Sequence, residues 1–516
     1  MKIAAMLRVM KACMFLILLL FAVQAQGEEV NLSAQKAMFA FTFESLSLKE
    51  FNHEKMGLLG GNLLFPLDAM PWLSLGAAAY GSVVGERGGF ITLGLASDAS
   101  YEIYQGFSAH AGLFVGAGGG HGGYQLQGGG LMLREHLGLN WQTQAGDLGF
   151  GLSRIDFPNG HVASSQAYMS YTHHFQSLIG DNWLEIPQGA THAWGSKNEN
   201  QFSLTYQTYD VPQGVKTSSG GVQHPGLGLV GIEWQQTLNT ATFLSMAAAG
   251  AMQGRSNGYM QILLGAGIYQ DISDNFRLKA LLAAGVAGGG NVDTGGGLLT
   301  KVAVGAQAMV TNNMALELEV GWVDSVIAGF KAKSYGLNMH HTFYSPKVGH
   351  HDSVPLSALG AYEAKHMRVR MVHQTYMELP KANMVWRVHH ANRNVNLLGF
   401  QNDYFLTDDW FVTGQGIAAY EGQAGGYMTG LLGLGGRYPL TQSWVVEGEV
   451  LVGAAGGGGL AVGGGLVWQV NAGLSYAVSR DNDILLQLGR MDAPKGGFAA
   501  HVFSVSIAHK FSLFMQ

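Results

Sequence analysis

The chain has 516 residues, of which 76 are glycine and only 12% are charged, and its formal net charge is −6. Glycine is about twice, and charge about half, the usual share in a soluble domain. Apolar residues make up 47% of the chain, which excludes disorder driven by excess charge, and the thinly spread basic residues give no patch for nucleic acid.

The N-terminus has the pattern of an export signal. A basic segment over 2–11 precedes an apolar run over 12–22, and short residues over 23–25 fit a cleavage site. The run is shorter than the ~20 residues that span a bilayer. We therefore expect a cleaved signal peptide over 1–25, with a signal anchor as the alternative. The mature chain then has no cysteine, because the only one is Cys13.

Single residues and short motifs in the mature chain recur at a spacing of 167 or 168 residues, which indicates triplication of one unit. We expect repeat 1 over 36–175, repeat 2 over 199–343 and repeat 3 over 366–511, joined by linkers over 176–198 and 344–365. The recurring residues are Asp156, Asp324 and Asp492; His173, His341 and His509; and the glycines Gly128, Gly129, Gly130, Gly295, Gly296, Gly297, Gly463, Gly464 and Gly465.

Within each unit, apolar and polar residues alternate with period two, which is typical of β-strands with two different faces. In repeat 3, for example, Val470 and Leu474 alternate with Gln469, Asn471 and Ser475. Turn signals divide each unit into eight strands. The length available for each suits a tilted membrane strand of ~9–11 residues and its connection.

Aromatic residues stand at strand starts and at the ends of the units: Trp72, Trp410, Trp444, Phe175, Phe343 and Phe511. In these features the chain resembles bacterial outer-membrane β-barrel proteins. The resemblance implies a barrel in outer-membrane lipid that contacts the barrel insertion machinery, which recognises a terminal aromatic residue. Because the chain continues past Phe511, either Phe511 or Phe514 can fill that role.

The predicted fold is all-β: an antiparallel transmembrane β-barrel built from three internal repeats of about eight strands. Eight strands give a wall about 16 Å across, and 24 give about 48 Å. Inward faces rich in small residues fill a narrow lumen poorly, which favours one 24-stranded barrel. Linkers of about 22 residues are long for a turn, so three tandem eight-stranded barrels are the alternative. A soluble β-protein also alternates, but export and low charge favour the membrane barrel.

Two sets of repeated residues are candidate sites. The glycine triplets lack a following Gly-Lys-Ser/Thr and a helix, so we interpret them as sharp hairpins and not as phosphate loops. Their functional alternative is a mouth that lets a partner backbone or polysaccharide approach closely. The repeated aspartates are interpreted as turn caps, and a carboxylate ring that selects cations is the alternative.

Histidines supply the remaining candidates. In a 24-stranded ring, His173, His341 and His509 would lie about 40 Å apart and could not share an ion, so an interfacial role is expected. In the second linker, His350, His351 and Asp352 are weak metal candidates, because adjacent residues on an extended chain point apart. We expect no metal or other cofactor and no catalytic set.

The expected function is therefore non-enzymatic: a passive channel or export pore in the cell outer membrane, working with a periplasmic or exported partner. One alternative is a surface scaffold or adhesin that displays glycine-rich hairpins. The other is an outer-membrane lipid-modifying hydrolase.

Overall fold

A computed structural model describes residues 31–349, 353–377 and 394–516, and these residues form 25 strands with only short helical turns. The expected signal peptide lies outside the described residues. Among the described residues, no helix is both long and apolar enough to cross a bilayer. The chain is an all-β protein in which every strand pairing is antiparallel.

Strands β1 to β8 form a closed ring, here called barrel 1. Each strand pairs with the next along the chain, and β8 returns to β1 from Ala34–Leu178 to Glu44–Tyr168. A short helix, α1 (Gly123–Gln127), lies between the fifth and sixth strands. The strands are β1 (Asn31–Leu48), β2 (Glu54–Leu67), β3 (Met70–Val84), β4 (Ile91–Tyr104), β5 (Phe107–Gly119), β6 (Leu131–Thr143), β7 (Gly146–Asp156) and β8 (Ala163–Asp181).

The next eight strands close in the same way into barrel 2. Its last strand returns to its first from Lys197–Pro346 to Asp210–Lys333. The strands are β9 (Lys197–Asp210), β10 (Gly226–Thr237), β11 (Thr242–Gln253), β12 (Met260–Ser273), β13 (Phe276–Gly288), β14 (Leu298–Met309), β15 (Met314–Ser325) and β16 (Lys331–Pro346).

Barrel 3 follows a three-residue strand, β17 (Ser353–Pro355), which pairs with the start of β1. The ring closes from Glu363–Met515 to Met377–His501. Its strands are β18 (Glu363–Met377), β19 (Val395–Phe405), β20 (Trp410–Glu421), β21 (Met428–Pro439), β22 (Trp444–Gly456), β23 (Leu466–Ala477), β24 (Asn482–Asp492) and β25 (Ala499–Met515).

These closures correct the favoured expectation of a single 24-stranded ring. Such a ring needs β8 to pair with β9, and β16 with β18. Instead, the last strand of each set, β8, β16 or β25, pairs with the first strand of the same set. A ladder of three residues between β8 and β25, Ile179–Leu513 to Asp181–Phe511, joins the sheets of barrels 1 and 3. The strand pairing therefore follows the tandem alternative.

The two ends of each barrel differ. At one end, called the turn end, strands are joined by two to four residues, as at 68–69 and 144–145 in barrel 1 and 440–443 in barrel 3. At the opposite loop end, the connections have five residues or more and include the glycine clusters. Both chain ends of every barrel lie at the turn end, where 182–196 joins barrel 1 to barrel 2.

The connecting segments pack together at the turn end. Thr191 donates a backbone hydrogen bond of 2.7 Å to Ser357, and Gly360 donates one of 2.9 Å to Thr191. Val354 and Leu359 are fully buried there in one apolar cluster with Phe514 of β25. These segments occupy the predicted linkers, although the flanking strands extend several residues into both predicted ranges.

The outer surface of the barrels is apolar, as the alternation predicts. Exposed aliphatic side chains form a band around mid-strand, among them Leu137, Leu139, Leu152, Leu282, Val302, Leu316, Leu318, Val450, Val452, Leu486 and Leu488. Several exposed aromatic residues lie toward the turn end, among them Trp72, Trp141, Trp410, Tyr438 and Trp444, and Trp322 and Tyr335 lie toward the loop end. The inverted arrangement, with apolar residues outside and polar residues inside, is typical of a barrel in a bilayer.

Candidate functional site: the lumens and the glycine junction

Charged side chains fill the lumen of barrel 3. Arg368 makes two hydrogen bonds of 2.8 and 2.7 Å with Glu447, and its Nε lies 2.8 Å from Asp403. Arg370 contacts both Asp403, at 2.8 Å, and Glu449, at 2.7 Å. All five side chains are at most 3% exposed. Alternation places them on the inner face, and opposite charges meet there because an unpaired buried charge is costly.

Barrel 2 contains a comparable network built from lysines. Lys279 Nζ lies 2.7 Å from Glu317, and Lys301 Nζ lies 2.6 Å from Glu319. His340 Nε2 lies 3.2 Å from the other oxygen of Glu317. A cavity of about 10 Å³ lies beside Lys301 and is also lined by Glu233 and Gln261, and it has room for about one water molecule.

Barrel 1 has an ion pair at the corresponding level. Arg134 Nε lies 2.7 Å from Glu44 Oε1, and both side chains are buried. Gln166 and Ser153 donate hydrogen bonds to the other oxygen of Glu44. The rings of Tyr80 and Tyr168 pack against the guanidinium, at 5.4 and 5.1 Å from ring centre to Cζ.

A second polar cluster lies beside this ion pair, toward the turn end of barrel 1. Asp98 Oδ2 is 3.1 Å from His110 Nδ1 and 2.9 Å from His136 Nε2. Tyr168 Oη is 2.9 Å from His110 Nε2, and Arg134 Nη1 is 2.8 Å from His136 Nδ1. In the described part of the chain, Asp98, His110 and His136 are the one group whose ligand atoms converge closely enough to hold a metal ion.

Inward glycines make room for this cluster. A Cβ on Gly112 would lie 2.4 Å from the His136 ring, and one on Gly138 would lie 2.3 Å from Tyr168 Oη. Both glycines follow the alternation on the same inner face as the histidines. Their lack of a side chain allows two imidazoles and a phenol to lie side by side in a narrow barrel.

A pocket of about 460 Å³ opens at the turn end of barrel 1, and its polar wall includes Ser100, Glu102, Ser108, Asn140 and Asp147. Ser100 and Ser108 lie two residues from Asp98 and His110 on the same inner faces. The pocket therefore leads from the turn end toward the cluster.

The glycine triplets join the barrels to one another at the loop end. In barrel 2, Gly295 O accepts a hydrogen bond of 2.6 Å from Gly88 N of barrel 1. In barrel 1, Gly128 O accepts one of 3.1 Å from Gly425 N of barrel 3. In barrel 3, Gly463 O accepts one from the side chain of Asn257 of barrel 2. Barrel 1 thus donates to barrel 2, barrel 2 to barrel 3, and barrel 3 to barrel 1, so the three contacts are related by a pseudo-threefold axis.

Other glycines bring the backbones into direct contact at this junction. A Cβ on Gly89 would lie 2.0 Å from the backbone nitrogen of Gly289, and one on Gly258 would lie 2.7 Å from that of Gly457. Apolar residues of all three barrels fill the centre: Val83, Ile91, Ala117, Val286, Ala418 and Met428. Close approach by a partner backbone, the alternative interpretation of the triplets, thus occurs between parts of the same chain.

The other repeated residues lie in three separate barrels. Asp156 and Asp492 are the last residues of β7 and β24, and Asp324 is the penultimate residue of β15. All three are on outward positions, so they do not line one lumen. His173, His341 and His509 are also on outward positions, in the closing strands, two residues before Phe175, Phe343 and Phe511. His350, His351 and Asp352 lie outside the described residues.

The sequence interpretation missed the lumen networks because the repeats differ there. The position of Arg134 is occupied by Lys301 in barrel 2 and by Gln469 in barrel 3. Because the residue type changes, a search for residues that recur at the repeat spacing does not find it. Asp98, His110 and His136 come from three neighbouring strands and form no linear motif. The usable signal is weaker: in a chain with few charges, charged residues occupy inward positions in the middle of strands.

No protein-family model and no curated protein sequence matches this chain. Solved structures that are similar include a mutant of the ferric enterobactin receptor PfeA from Pseudomonas aeruginosa in complex with enterobactin, at 9% identity over 95% of this chain and 82% of that chain, with a TM-score of 0.26. The siderophore receptor PirA from Pseudomonas aeruginosa matches at 12% identity over 94% and 81%, with a TM-score of 0.25. A de novo designed transmembrane β-barrel matches at 15% identity over 31% of this chain and 99% of that chain, with a TM-score of 0.18. The strand pairings and lumen contacts of this chain define an antiparallel β-barrel protein whose lumens are filled by side chains.

Proposed function

We propose that the protein is a non-enzymatic structural scaffold of the bacterial outer membrane, which holds three barrels together and displays their joined loops. The apolar outer band and the aromatic residues toward the turn end support a place in outer-membrane lipid. Such barrels carry short turns on the periplasmic side, so we place the turn end in the periplasm and the loop end outside. Assembly then requires the barrel insertion machinery.

The observation that carries the proposal is the filling of the lumens. Arg368 and Glu447 cross barrel 3 as a two-bonded ion pair. In barrel 2, Lys279 contacts Glu317 at 2.7 Å inside the lumen. An eight-stranded barrel is only wide enough for its own side chains. Ions and solutes would have to break these pairs to pass, which favours a scaffold over the passive channel expected from the sequence.

The glycine junction supports the same proposal. It joins the loop ends of the three barrels through backbone contacts, such as Gly88 to Gly295, instead of leaving three independent mouths. Rigid contact between loop ends gives one continuous outer surface. A shared surface of this kind suits display or attachment to an exported or extracellular partner.

Conductance of the purified full chain in planar bilayers tests the proposal. We expect no stable openings across the accessible voltages. A matched variant, Arg370→Ser/Glu449→Ser, removes both partners of one lumen pair and leaves Asp403 paired with Arg368, so we expect it to show brief openings. Steady openings of the unmodified chain at low voltage would instead establish a passive channel.

The display role has its own measurement. In the native bacterium, we expect deletion of the protein to change surface attachment or envelope integrity while the uptake of small solutes stays the same. Reduced solute uptake with unchanged attachment would overturn the scaffold proposal.

A further inference from the structure

Barrel 1 differs from its two partners in the polar cluster of Asp98, His110 and His136. The corresponding positions, counted from the aligned loop-end contacts, are Gly267, Lys279 and Ala303 in barrel 2, and Gly435, Glu447 and Asn471 in barrel 3. Filling a lumen therefore does not require this cluster. The question is which ligand two imidazoles and one carboxylate select at this place.

The geometry points to a divalent transition-metal ion, of the zinc and copper class, as the ligand of Asp98, His110 and His136. Two imidazole nitrogens and one carboxylate oxygen form a donor set that suits such ions. The nitrogen–oxygen distances are 2.9 and 3.1 Å. Bonds of about 2.0–2.2 Å to a tetrahedral ion place ligand atoms roughly 3.4 Å apart, so small side-chain shifts complete the site.

The surroundings hold the two rings in place. Tyr168 Oη fixes His110 through Nε2, the nitrogen that does not face Asp98. Arg134 Nη1, which can only donate, fixes His136 through Nδ1, so Nε2 carries the proton that faces Asp98. The contact of His110 with Tyr168 is the kind that orients the ligands of metal sites, whereas the Arg134 contact holds His136 in place before the ion binds.

Both imidazoles bind the ion in their neutral form. The ion replaces the two protons that lie between the rings and Asp98, and each ring carries its proton on its other nitrogen instead, so no proton is released. On His110 this is Nε2, where the Tyr168 oxygen accepts it. On His136 it is Nδ1, so Arg134 Nη1 turns away from that nitrogen while Arg134 Nε keeps its ion pair with Glu44.

An entry path is present. The pocket of about 460 Å³ opens at the turn end and is lined by Ser100, Glu102, Ser108 and Asp147. Its carboxylates attract cations, and its lining residues Ser100 and Ser108 are two residues along the inner faces from Asp98 and His110. The pocket thus gives a route for the ion from the turn end toward the proposed site.

The test measures Zn²⁺ binding by the full chain, purified without a histidine tag, stripped with chelator and kept folded in detergent. Calorimetry is done in a background with His350→Ala and His351→Ala, which removes the linker histidines. We expect one tight site, and we expect Cu²⁺ loaded there to show nitrogen coupling in its electron paramagnetic resonance spectrum. Absence of a tight site in this background would overturn the proposal.

Variants identify the ligands. We expect His110→Gln/His136→Gln to abolish the site, and Asp98→Asn, which keeps the shape of the side chain, to weaken it at least tenfold. Tyr168→Phe should weaken it about tenfold, as loss of an outer contact does. The matched control is His340→Gln, a buried lumen histidine of barrel 2, which should bind as before.

Heat-dependent migration in gels confirms that each variant is folded. Tight binding that persists in folded His110→Gln/His136→Gln would refute the assignment. The scaffold proposal does not depend on this result, because it rests on the ion pairs of barrels 2 and 3 and on conductance.

Discussion

Arg368 and Glu447 face each other across the lumen of barrel 3 and share two hydrogen bonds of 2.8 and 2.7 Å, with both side chains at most 2% exposed. Both residues are shielded from solvent by the barrel wall and the surrounding side chains. The pair blocks the lumen. The stability of the folded barrel depends on both charges being present, because a buried charge without a partner is far more costly than a buried pair.

Removing one charge of this pair should destabilise the protein more than removing both. We expect Arg368→Met to lower the free energy of unfolding by about 3–5 kcal/mol, since Glu447 is left buried and unpaired. In Arg368→Met/Glu447→Gln, the uncompensated charge is gone and most of the loss should be recovered. Urea unfolding in detergent, followed by tryptophan fluorescence, measures both. An equal loss in the single and double variants would show that the pair contributes packing and not charge.

The contact between Gly89 and Gly289 should be intolerant of a side chain. A Cβ on Gly89 would lie 2.0 Å from the Gly289 nitrogen, and its φ of +83° is unfavourable for other residues. Gly220 has the same φ of +83° with open space around it, so Gly220→Ala isolates the backbone strain of about 1–2 kcal/mol. We expect Gly89→Ala to cost about 1–3 kcal/mol more than that control in the free energy of unfolding. Equal costs would mean that the barrels separate easily at the junction.

Closure of barrel 1 on itself can be checked by cross-linking, because the mature chain is expected to contain no cysteine of its own. Phe39 and His173 are partners on β1 and β8, and adjacent antiparallel partners lie within disulfide reach. We expect Phe39→Cys/His173→Cys to form an intramolecular disulfide in the folded protein. The matched control, Phe39→Cys/His341→Cys, places the second cysteine at the corresponding position of barrel 2 and should stay reduced. Efficient oxidation of the control with none in the first pair would argue against closure.

Strand alternation was predictable from the sequence, and ring closure was not. Each strand reveals its two faces locally, so the buried Gln469 and the outward Val470 agree with the period-two pattern. Closure depends on which distant strand completes the hydrogen bonds of β8, and β1 and β9 have similar patterns. The many small inward residues favour a wide ring, but long inward side chains such as Arg134, Lys279 and Arg368 fill a narrow lumen.

Some candidate sites could be found from the sequence, and others depend on the three-dimensional arrangement of the strands. The glycine triplets were found because they repeat, but their contacts with neighbouring barrels depend on the three-dimensional arrangement. Asp98, His110 and His136 were missed because they meet through the register of three strands and do not repeat. Repetition identifies what the three barrels share, and the chemistry specific to one barrel lies in residues that differ among them.

A charge placed on the outer band provides the direct test of membrane insertion. Leu318 lies in the middle of β15 and is 69% exposed, and Ile327, in the loop after that strand, is 58% exposed. In lipid, Leu318→Arg should lower the free energy of unfolding by about 2–4 kcal/mol, because the guanidinium loses its water near the centre of the bilayer. Ile327→Arg lies at the loop end in water and should cost no more than about 0.5 kcal/mol. Unfolding from lipid vesicles measures both variants, and equal small effects would mean that water, and not lipid, surrounds the barrels.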